Sequence, residues 1–190
     1  SSNENYKSLC RVIRYLYDTK TLGIELIKMN NMDRIDWNLS FYVDSDWEGD
    51  PQTRKRISGC VIFVGKSPIV WGSKQQRIVA VSSSEAEFVA ISDVCKDLVF
   101  SIKVIEFMGV KIRLPVTVMV DNKGAIFMAD NKVVKSTRHI HTRYLLIREY
   151  IEDGIIKIQF VKSEDNMADI MTKNVDSKTY KNHQTNLVKE

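Results

Sequence analysis

The stretch Phe41-Tyr-Val-Asp-Ser-Asp-Trp-Glu-Gly-Asp50 constrains the fold more than any other part of the chain. Phe41, Tyr42 and Val43 favour extended backbone and predict a strand over 41–47. Asp44 and Asp46, two residues apart, then share one face of that strand. Two aspartates so placed repel unless a cation neutralises them. Three acidic stretches downstream can contribute to holding such a cation, namely Glu85-Ala-Glu87, Asp121-Asn122 and Glu164-Asp-Asn-Met-Ala-Asp169. We expect one carboxylate from each to converge with Asp44 on metal ions. Taken singly, each also reads as a solvated turn residue. The expectation rests on the four together.

With 190 residues and 44% hydrophobic content, the chain is expected to form one globular domain with room for an appendage. No apolar run approaches the ~20 residues that span a bilayer. The N-terminus is polar and lacks the apolar core of a secretion signal, so neither secretion nor a membrane partner is expected. Cys10, Cys60 and Cys95 are odd in number and widely spaced. They predict a reducing, cytoplasmic compartment, with the thiols acting as small core hydrophobes. A net charge of +4 permits a nucleic-acid partner without requiring one.

In chain order, Tyr6, Leu9, Val12, Ile13, Leu16 and Tyr17 recur at helical spacing over 6–18. Residues 23–28 alternate as a strand does, and 30–34 read as a linker. Residues 1–34 are therefore expected to be an arm ahead of a main domain at 35–175. A polar turn over 48–56 carries Arg54, Lys55 and Arg56. Strands at 57–64 and 69–74 complete an antiparallel meander of three.

The long helix that follows is the most informative element. Ser82-x-x-Glu85 has the form of a capping box, and apolar positions run Phe88, Ile91, Val94, Cys95, Leu98, Ile102 and Ile105 to a stop at Gly109. Glu85 is suited to the capping role and is followed mostly by polar neighbours on its face. Glu87 lies over Ile91, Val94 and Leu98, on the stripe that must be buried. A buried carboxylate is costly unless it is paired or ligates a cation. Glu87 is thus the candidate ligand.

A nearly continuous apolar strand over 115–120 ends in Asp121, and a short helix follows over 125–129. Ligands are met at such strand ends in α/β sheets, although Asp121 placed there also reads as the cap of the next helix. Ser136 opens a second long helix, with Ile140, Tyr144, Ile147 and Ile151 inward and Gly154 as its stop. His139 and His141 diverge on a helix, so no zinc site is expected. A last strand at 156–160 precedes a short helix that starts at Ser163 or Asp165 and presents Asp169. Residues 176–190 are polar, without apolar periodicity, and read as a peripheral tail.

The order therefore predicts an α/β fold: three antiparallel strands, then two parallel strands reached by helical crossovers. Four carboxylates with no clustered cysteine or histidine select Mg²⁺ or Mn²⁺. Two such ions roughly 4 Å apart suit an in-line displacement at a phosphodiester.

Several motifs together carry a family resemblance. They are Tyr42-Val-Asp44-Ser-Asp-Trp-Glu-Gly-Asp50, Trp71-Gly-Ser-Lys-Gln-Gln76, Val81-Ser-Ser-Ser-Glu-Ala-Glu-Phe88, Val120-Asp-Asn-Lys-Gly-Ala125, Arg138-His-Ile140, Ile147-Arg-Glu149 and Met167-Ala-Asp-Ile-Met-Thr-Lys173. Over 41–174 the chain resembles the ribonuclease H domain of copia-type LTR retrotransposon Pol polyproteins. Residues 1–34 resemble the end of the preceding reverse-transcriptase/connection region. The resemblance implies a ribonuclease H-like five-stranded mixed sheet flanked by helices. It also implies hydrolysis of the RNA strand of RNA–DNA hybrids with two Mg²⁺ ions, alongside a reverse transcriptase and in a cytoplasmic virus-like particle. Motif by motif, it places the metal-binding catalytic acids at Asp44, Glu87, Asp121 and Asp169. The chain departs from that pattern in its last loop, 161–167, which lacks the histidine many relatives carry. Either Glu164 substitutes for it or the step it serves is slower. The long basic insertion of the bacterial enzyme has no clear counterpart, so substrate affinity falls either to Arg54, Arg56, Lys74, Arg77 and the 138–148 face or to a fused reverse transcriptase. Ser45, Asn122 and Gln76 are candidate readers of the 2′-hydroxyl, and Asp46 is placed behind the ligands or against the substrate. The rival readings are an integrase or transposase nuclease of the same fold, which uses three acids, and an inactive ribonuclease H-like connection module, which would have lost acids.

Overall fold

A computed structural model describes residues 3–26, 36–46, 56–78, 80, 82–130 and 138–189. The turn carrying Arg54, the predicted 30–34 linker and the Ser136 cap lie outside the described residues. The elements in chain order are α1 (Asn3–Asp18), β1 (Asp36–Trp37), β2 (Leu39–Ser45), β3 (Ile57–Val64), β4 (Ser67–Gln75), α2 (Ser83–Phe107), β5 (Lys111–Ile112), β6 (Val116–Val120), α3 (Lys123–Asp130), α4 (Arg138–Glu152) and β7 (Ile156–Phe160). Two 3₁₀ turns (Ser163–Asp165 and Asp169–Met171) and α5 (Ser177–Leu187) complete the chain.

The five-stranded sheet has the order β4-β3-β2-β6-β7. β2 pairs antiparallel with β3, and β3 with β4, while β6 and β7 run parallel to β2. This is the mixed α/β architecture expected from the order of elements. β2 is the hinge of that arrangement, because its antiparallel neighbour lies on one side and its parallel neighbour on the other. β1 and β5 form a separate two-stranded parallel pair. Pairs that short leave no periodicity in a sequence.

The long helix α2 forms where its signals placed it. Ser82 sits in extended backbone, and its Oγ accepts a hydrogen bond from the Glu85 N–H at 3.1 Å. Gly109, at φ +86°, closes the far end in a conformation that side chains resist. The stripe from Phe88 to Ile105 is buried and joins Leu39, Phe41, Val43, Val116 and Val118 in the core. On α4, Tyr144 and Ile147 are buried against this core, and the Tyr144 ring lies 6.3 Å from that of Phe88. Burial on this scale is the main favourable term in folding.

The C-terminal segment differs from its expectation as a loose polar tail. Asp176 caps a true helix, its Oδ1 accepting from the N–H groups of Lys178 and Thr179 at 2.8 and 3.1 Å. His183 is buried, with Nδ1 3.2 Å from Met167 Sδ. The tail also meets the N-terminal arm: Tyr180 and Tyr15 share a hydroxyl hydrogen bond of 2.6 Å, and Gly23 and Lys189 exchange backbone hydrogen bonds of 2.8 Å. One buried side chain, a side-chain cap and these contacts with the N-terminal arm, without an apolar stripe, hold this helix in place.

Candidate active site

The carboxyl ends of β2 and β6 lie side by side, and α2 begins above them. This arrangement brings acids from distant parts of the chain together. One carboxylate oxygen from each of Asp44, Glu87 and Asp121 lies within 4.8 Å of the others. They line an open cleft of about 920 Å³ together with Ser45, Asp46, Ser73, Asn122, Thr172 and Lys173.

Each acid is aimed by its local structure. Asp44 is 1% exposed and stands opposite Gly59 in the β2–β3 ladder. A Cβ on Gly59 would meet Met171 Cβ at 2.8 Å and the Ala168 carbonyl at 3.0 Å. Glycine there lets the Ala168–Thr172 segment close over β3, beside Asp44. Thr172 Oγ1 donates to Asp44 Oδ2 and lies 3.0 Å from the Asp169 carbonyl oxygen. Glu87 is buried on the α2 stripe, whereas Glu85 is half-buried. The Ser45 N–H donates to Glu87 Oε1 at 3.2 Å, and Glu87 Oε2 has no hydrogen-bond partner among the described residues.

Asp121 ends β6, and its Oδ2 accepts from Ser163 Oγ. It does not cap the following helix. Asn122 does so, its Oδ1 accepting from the Ala125 N–H at 3.0 Å and from Ser84 Oγ at 3.2 Å. Gly124 lets the starts of α3 and α2 abut, since a Cβ there would run into Ser84. The cap alternative for Asp121 is thereby replaced by its neighbour, and the Asp121 carboxylate faces the cleft.

Asp169 is set apart from the three. It is 4% exposed, and its Oδ2 lies 3.0 Å from Lys173 Nζ, while Oδ1 has no partner among the described residues. The loop that delivers it is anchored by the fully buried Asn166. Its Nδ2 donates to the Val43 carbonyl at 3.0 Å, and its Oδ1 accepts from the Ala168 N–H at 3.2 Å.

The electrostatics of this cluster are strained. Burial, then repulsion from Asp44 and Asp121, pushes the Glu87 carboxyl up to about 9. Burial and Asp44 push Asp169 up to about 7. Burial also raises Asp44, although the Thr172 hydroxyl and Lys173 oppose it. Buried carboxylates that repel one another and leave oxygens unpartnered are short of positive charge. The donors are hard oxygens with no sulfur or imidazole among them. Both features fit a divalent cation such as Mg²⁺ or Mn²⁺.

The remaining candidates divide by placement. Ser45 and Asn122 line the cleft, as does Asp46. Gln76 is 2% exposed rather than surface-facing. Its Nε2, with two N–H donors, lies within hydrogen-bond reach of the Ala86 carbonyl (2.9 Å), Ser58 Oγ (3.0 Å) and Ser45 Oγ (3.3 Å), so it braces the strand ends against α2. Arg56, expected as a substrate contact, is likewise buried and donates to the Ala80 carbonyl at 3.3 Å. Lys74 and Arg77 are exposed and line a neighbouring groove with Lys96 and Arg143. Within the basic face expected on α4, Arg143 pairs with Asp93 at 2.5 Å and Arg148 with Glu152 at 2.7 Å. In the last loop Glu164 faces solvent near Lys162, and it is Ser163 that points at the acids. Sequence reasoning did not single out Asn166, Ser163, Thr172 or Lys173. For Asn166, Thr172 and Lys173 the signal was proximity to Asp169 within a single run, 166–173; Ser163 stands just ahead of it.

No family model matches the chain. Among curated proteins it is similar to the Pol polyproteins of transposons RE1 and RE2 of Arabidopsis thaliana, at 30% and 31% identity over 182 residues, or 95% of the chain. Its homologues are copia-type retrotransposon Pol polyproteins. A third, from transposon TNT 1-94 of Nicotiana tabacum, is 29% identical over 90% of the chain. The chain spans 12% of the length of these relatives. Among solved structures it is similar to the N-terminal RNase H domain of a Mycobacterium tuberculosis protein, with a TM-score of 0.52 at 11% identity, covering 77% of this chain and 99% of that one. It is equally similar to LC11-RNase H1 in complex with an RNA/DNA hybrid, with a TM-score of 0.52 at 18% identity, covering 71% of this chain and 94% of that one. The fold of the chain is that of ribonuclease H.

Proposed function

We propose that the chain is a ribonuclease H, an endonuclease that hydrolyses the RNA strand of RNA–DNA hybrids during retrotransposon reverse transcription. The observation that carries this reading is the meeting of Asp44, Glu87 and Asp121 oxygens in one open cleft of a ribonuclease H fold, with a buried Glu87 oxygen left without a partner among the described residues. One solved structure of similar fold is described as a complex with an RNA/DNA hybrid, and the curated relatives are Pol polyproteins. Both are consistent with the hybrid as substrate and with fusion to a reverse transcriptase.

In this reading Asp44, Glu87, Asp121 and Asp169 hold divalent ions, Mg²⁺ with Mn²⁺ as substitute. Bound there, the metal supplies charge stabilisation for the attacking and departing oxygens of the phosphodiester. The protein's own contribution is preorganisation. The Ser45 N–H fixes one Glu87 oxygen, Thr172 fixes Asp44, and Ser163 fixes Asp121. Gln76 holds the Ser45 hydroxyl from behind. Ser45, Asp46 and Asn122 present polar groups along the cleft, where a 2′-hydroxyl would distinguish RNA from DNA. Lys74 lies on the groove beside it and is suited to a backbone phosphate. Arg54 keeps the phosphate-contact role that its basic turn implies.

Residues 1–34 are assigned to the end of the reverse-transcriptase/connection region, 35–175 to the nuclease and 176–190 to its C-terminal appendage. No helix among the described residues is long and apolar enough to cross a membrane. A retrotransposon's cytoplasmic virus-like particle is the proposed location. Retention of all four acids favours an active nuclease over an inactive connection module, and the fourth, Asp169, over a three-acid integrase.

The test is cleavage of a labelled RNA–DNA hybrid in Mg²⁺, Mn²⁺ or EDTA, beside single-stranded RNA, duplex RNA and duplex DNA. Metal-dependent cutting of the hybrid's RNA strand alone is expected. Cutting of DNA would favour the integrase-type reading, and no cutting by the folded chain would favour the inactive module.

A further inference from the structure

Lys173 lies one helical turn past Asp169, and its backbone N–H donates to the Asp169 carbonyl at 3.0 Å. Its ammonium is 3.0 Å from Asp169 Oδ2 and 3.6 Å from Asp44 Oδ2. Both partners are almost fully buried, and the lysine side chain is 37% exposed, on the wall of the cleft. An exposed i,i+4 bridge would contribute little. This one joins two buried acids from opposite ends of the chain, and the charges of Glu87 and Asp121 reach it as well. One ammonium cannot satisfy four carboxylates, and Glu87 Oε2 and Asp169 Oδ1, without a hydrogen-bond partner among the described residues, mark what it leaves undone. A lysine has three donors on a flexible stem, so it can occupy a cation's place and vacate it.

We infer that Lys173, wedged between Asp44 and Asp169, is a tethered counter-ion that holds a cation's place among the acids and withdraws when a divalent metal binds. The inference rests on the proposed metal-binding role of these acids. Metal binding and the lysine's withdrawal are one linked equilibrium. The lysine therefore lowers metal affinity while keeping the metal-free fold from flying apart at its own active site. An ammonium beside a doubly charged ion is repelled, which supplies the force for withdrawal.

Mn²⁺ binding to the full chain without nucleic acid, followed by calorimetry, reads the effect directly. Lys173→Met is expected to bind Mn²⁺ several-fold more tightly than the wild type and to melt at a lower temperature in EDTA. Lys173→Arg keeps the charge and is expected to stay near wild type in both. Equal or weaker Mn²⁺ binding by Lys173→Met would overturn the inference. If that variant does not fold, the wild-type chain still decides. The rate at which an amine-reactive ester labels Lys173, followed by mass spectrometry, should rise when Mn²⁺ replaces EDTA, while labelling of the exposed Lys66 and Lys157 stays constant. An unchanged or slower rate contradicts withdrawal. A wild-type chain that binds no Mn²⁺ would instead remove the metal-site reading on which the inference stands.

Discussion

The two ends of β2 are only a few residues apart and almost equally buried, yet different forces hold them. At one end Leu39, Phe41 and Val43 belong to the apolar cluster of Phe88, Ile91 and Leu98. At the other, Asp44 and Ser45 are buried among carboxylates, two of which carry an oxygen with no hydrogen-bond partner among the described residues. The first kind of burial stabilises the fold. The second opposes it and persists because Asn166, Thr172 and Lys173 clamp the last loop onto the strand. The core end supplies the stability that the acidic end draws on, a distribution common where a site must be preorganised.

The largest effect should come from the acidic end. Asp44→Asn removes a ligand charge worth several kcal/mol at the transition state, so hybrid cleavage should fall on the order of 10³-fold. Its melting temperature in EDTA should hold or rise, since a repelled charge has been deleted. A large loss of metal-free stability would erase the contrast between the two ends. Phe88→Ala tests the core end and should cost about 3–5 kcal/mol in denaturant unfolding. That cost should be the same in EDTA as in Mg²⁺; a metal-dependent cost would mean that the two ends are not separate.

Acidity sharpens the comparison further. Folding raises the Glu87 carboxyl from its ordinary 4.5 to about 9, and Asp169 from 3.8 to about 7. The folded, metal-free protein thus binds more protons than the unfolded chain between those limits. Its stability must therefore decline as pH rises through that window. Melting in EDTA should fall from pH 4.5 towards 9, and Mg²⁺ should flatten the decline by favouring the ionised form. A flat profile in EDTA would mean that the acids are not mutually strained. A smaller effect is expected from Asn166→Ala, which strips two buried hydrogen bonds from the last loop and should cost about 1–3 kcal/mol. It should also weaken cleavage by loosening Asp169.

The legible parts of the molecule were those set by local rules. The apolar run of β6, the stripe and cap of α2 and the burial of Glu87 rather than Glu85 all follow from periodicity and the cost of burying charge. What escaped was set by distant contacts. Gln76 and Arg56 looked like surface residues by type, and only contacts with α2, at the Ala86 carbonyl, and with the Ala80 carbonyl ahead of it make them internal braces. α5 carries no stripe and depends on one histidine, a side-chain cap and contacts with the distant N-terminal arm. The identity of the α3 cap turned on whether Asp121 or Asn122 folds back, which composition does not decide. Lys173 reads as one more surface lysine until β2 brings Asp44 beside it.

The most direct test of the central claim compares Glu87→Gln with Glu85→Gln in single-turnover cleavage of a labelled RNA–DNA hybrid, at equal concentrations of folded protein in Mg²⁺. The two glutamates differ by two positions on one helix, and only Glu87 lies among the acids. Glu87→Gln should be at least about 100-fold slower than the wild type, and Glu85→Gln close to it. Equal rates, or a greater loss at Glu85, would contradict the assignment of the buried end of β2 as the reacting centre.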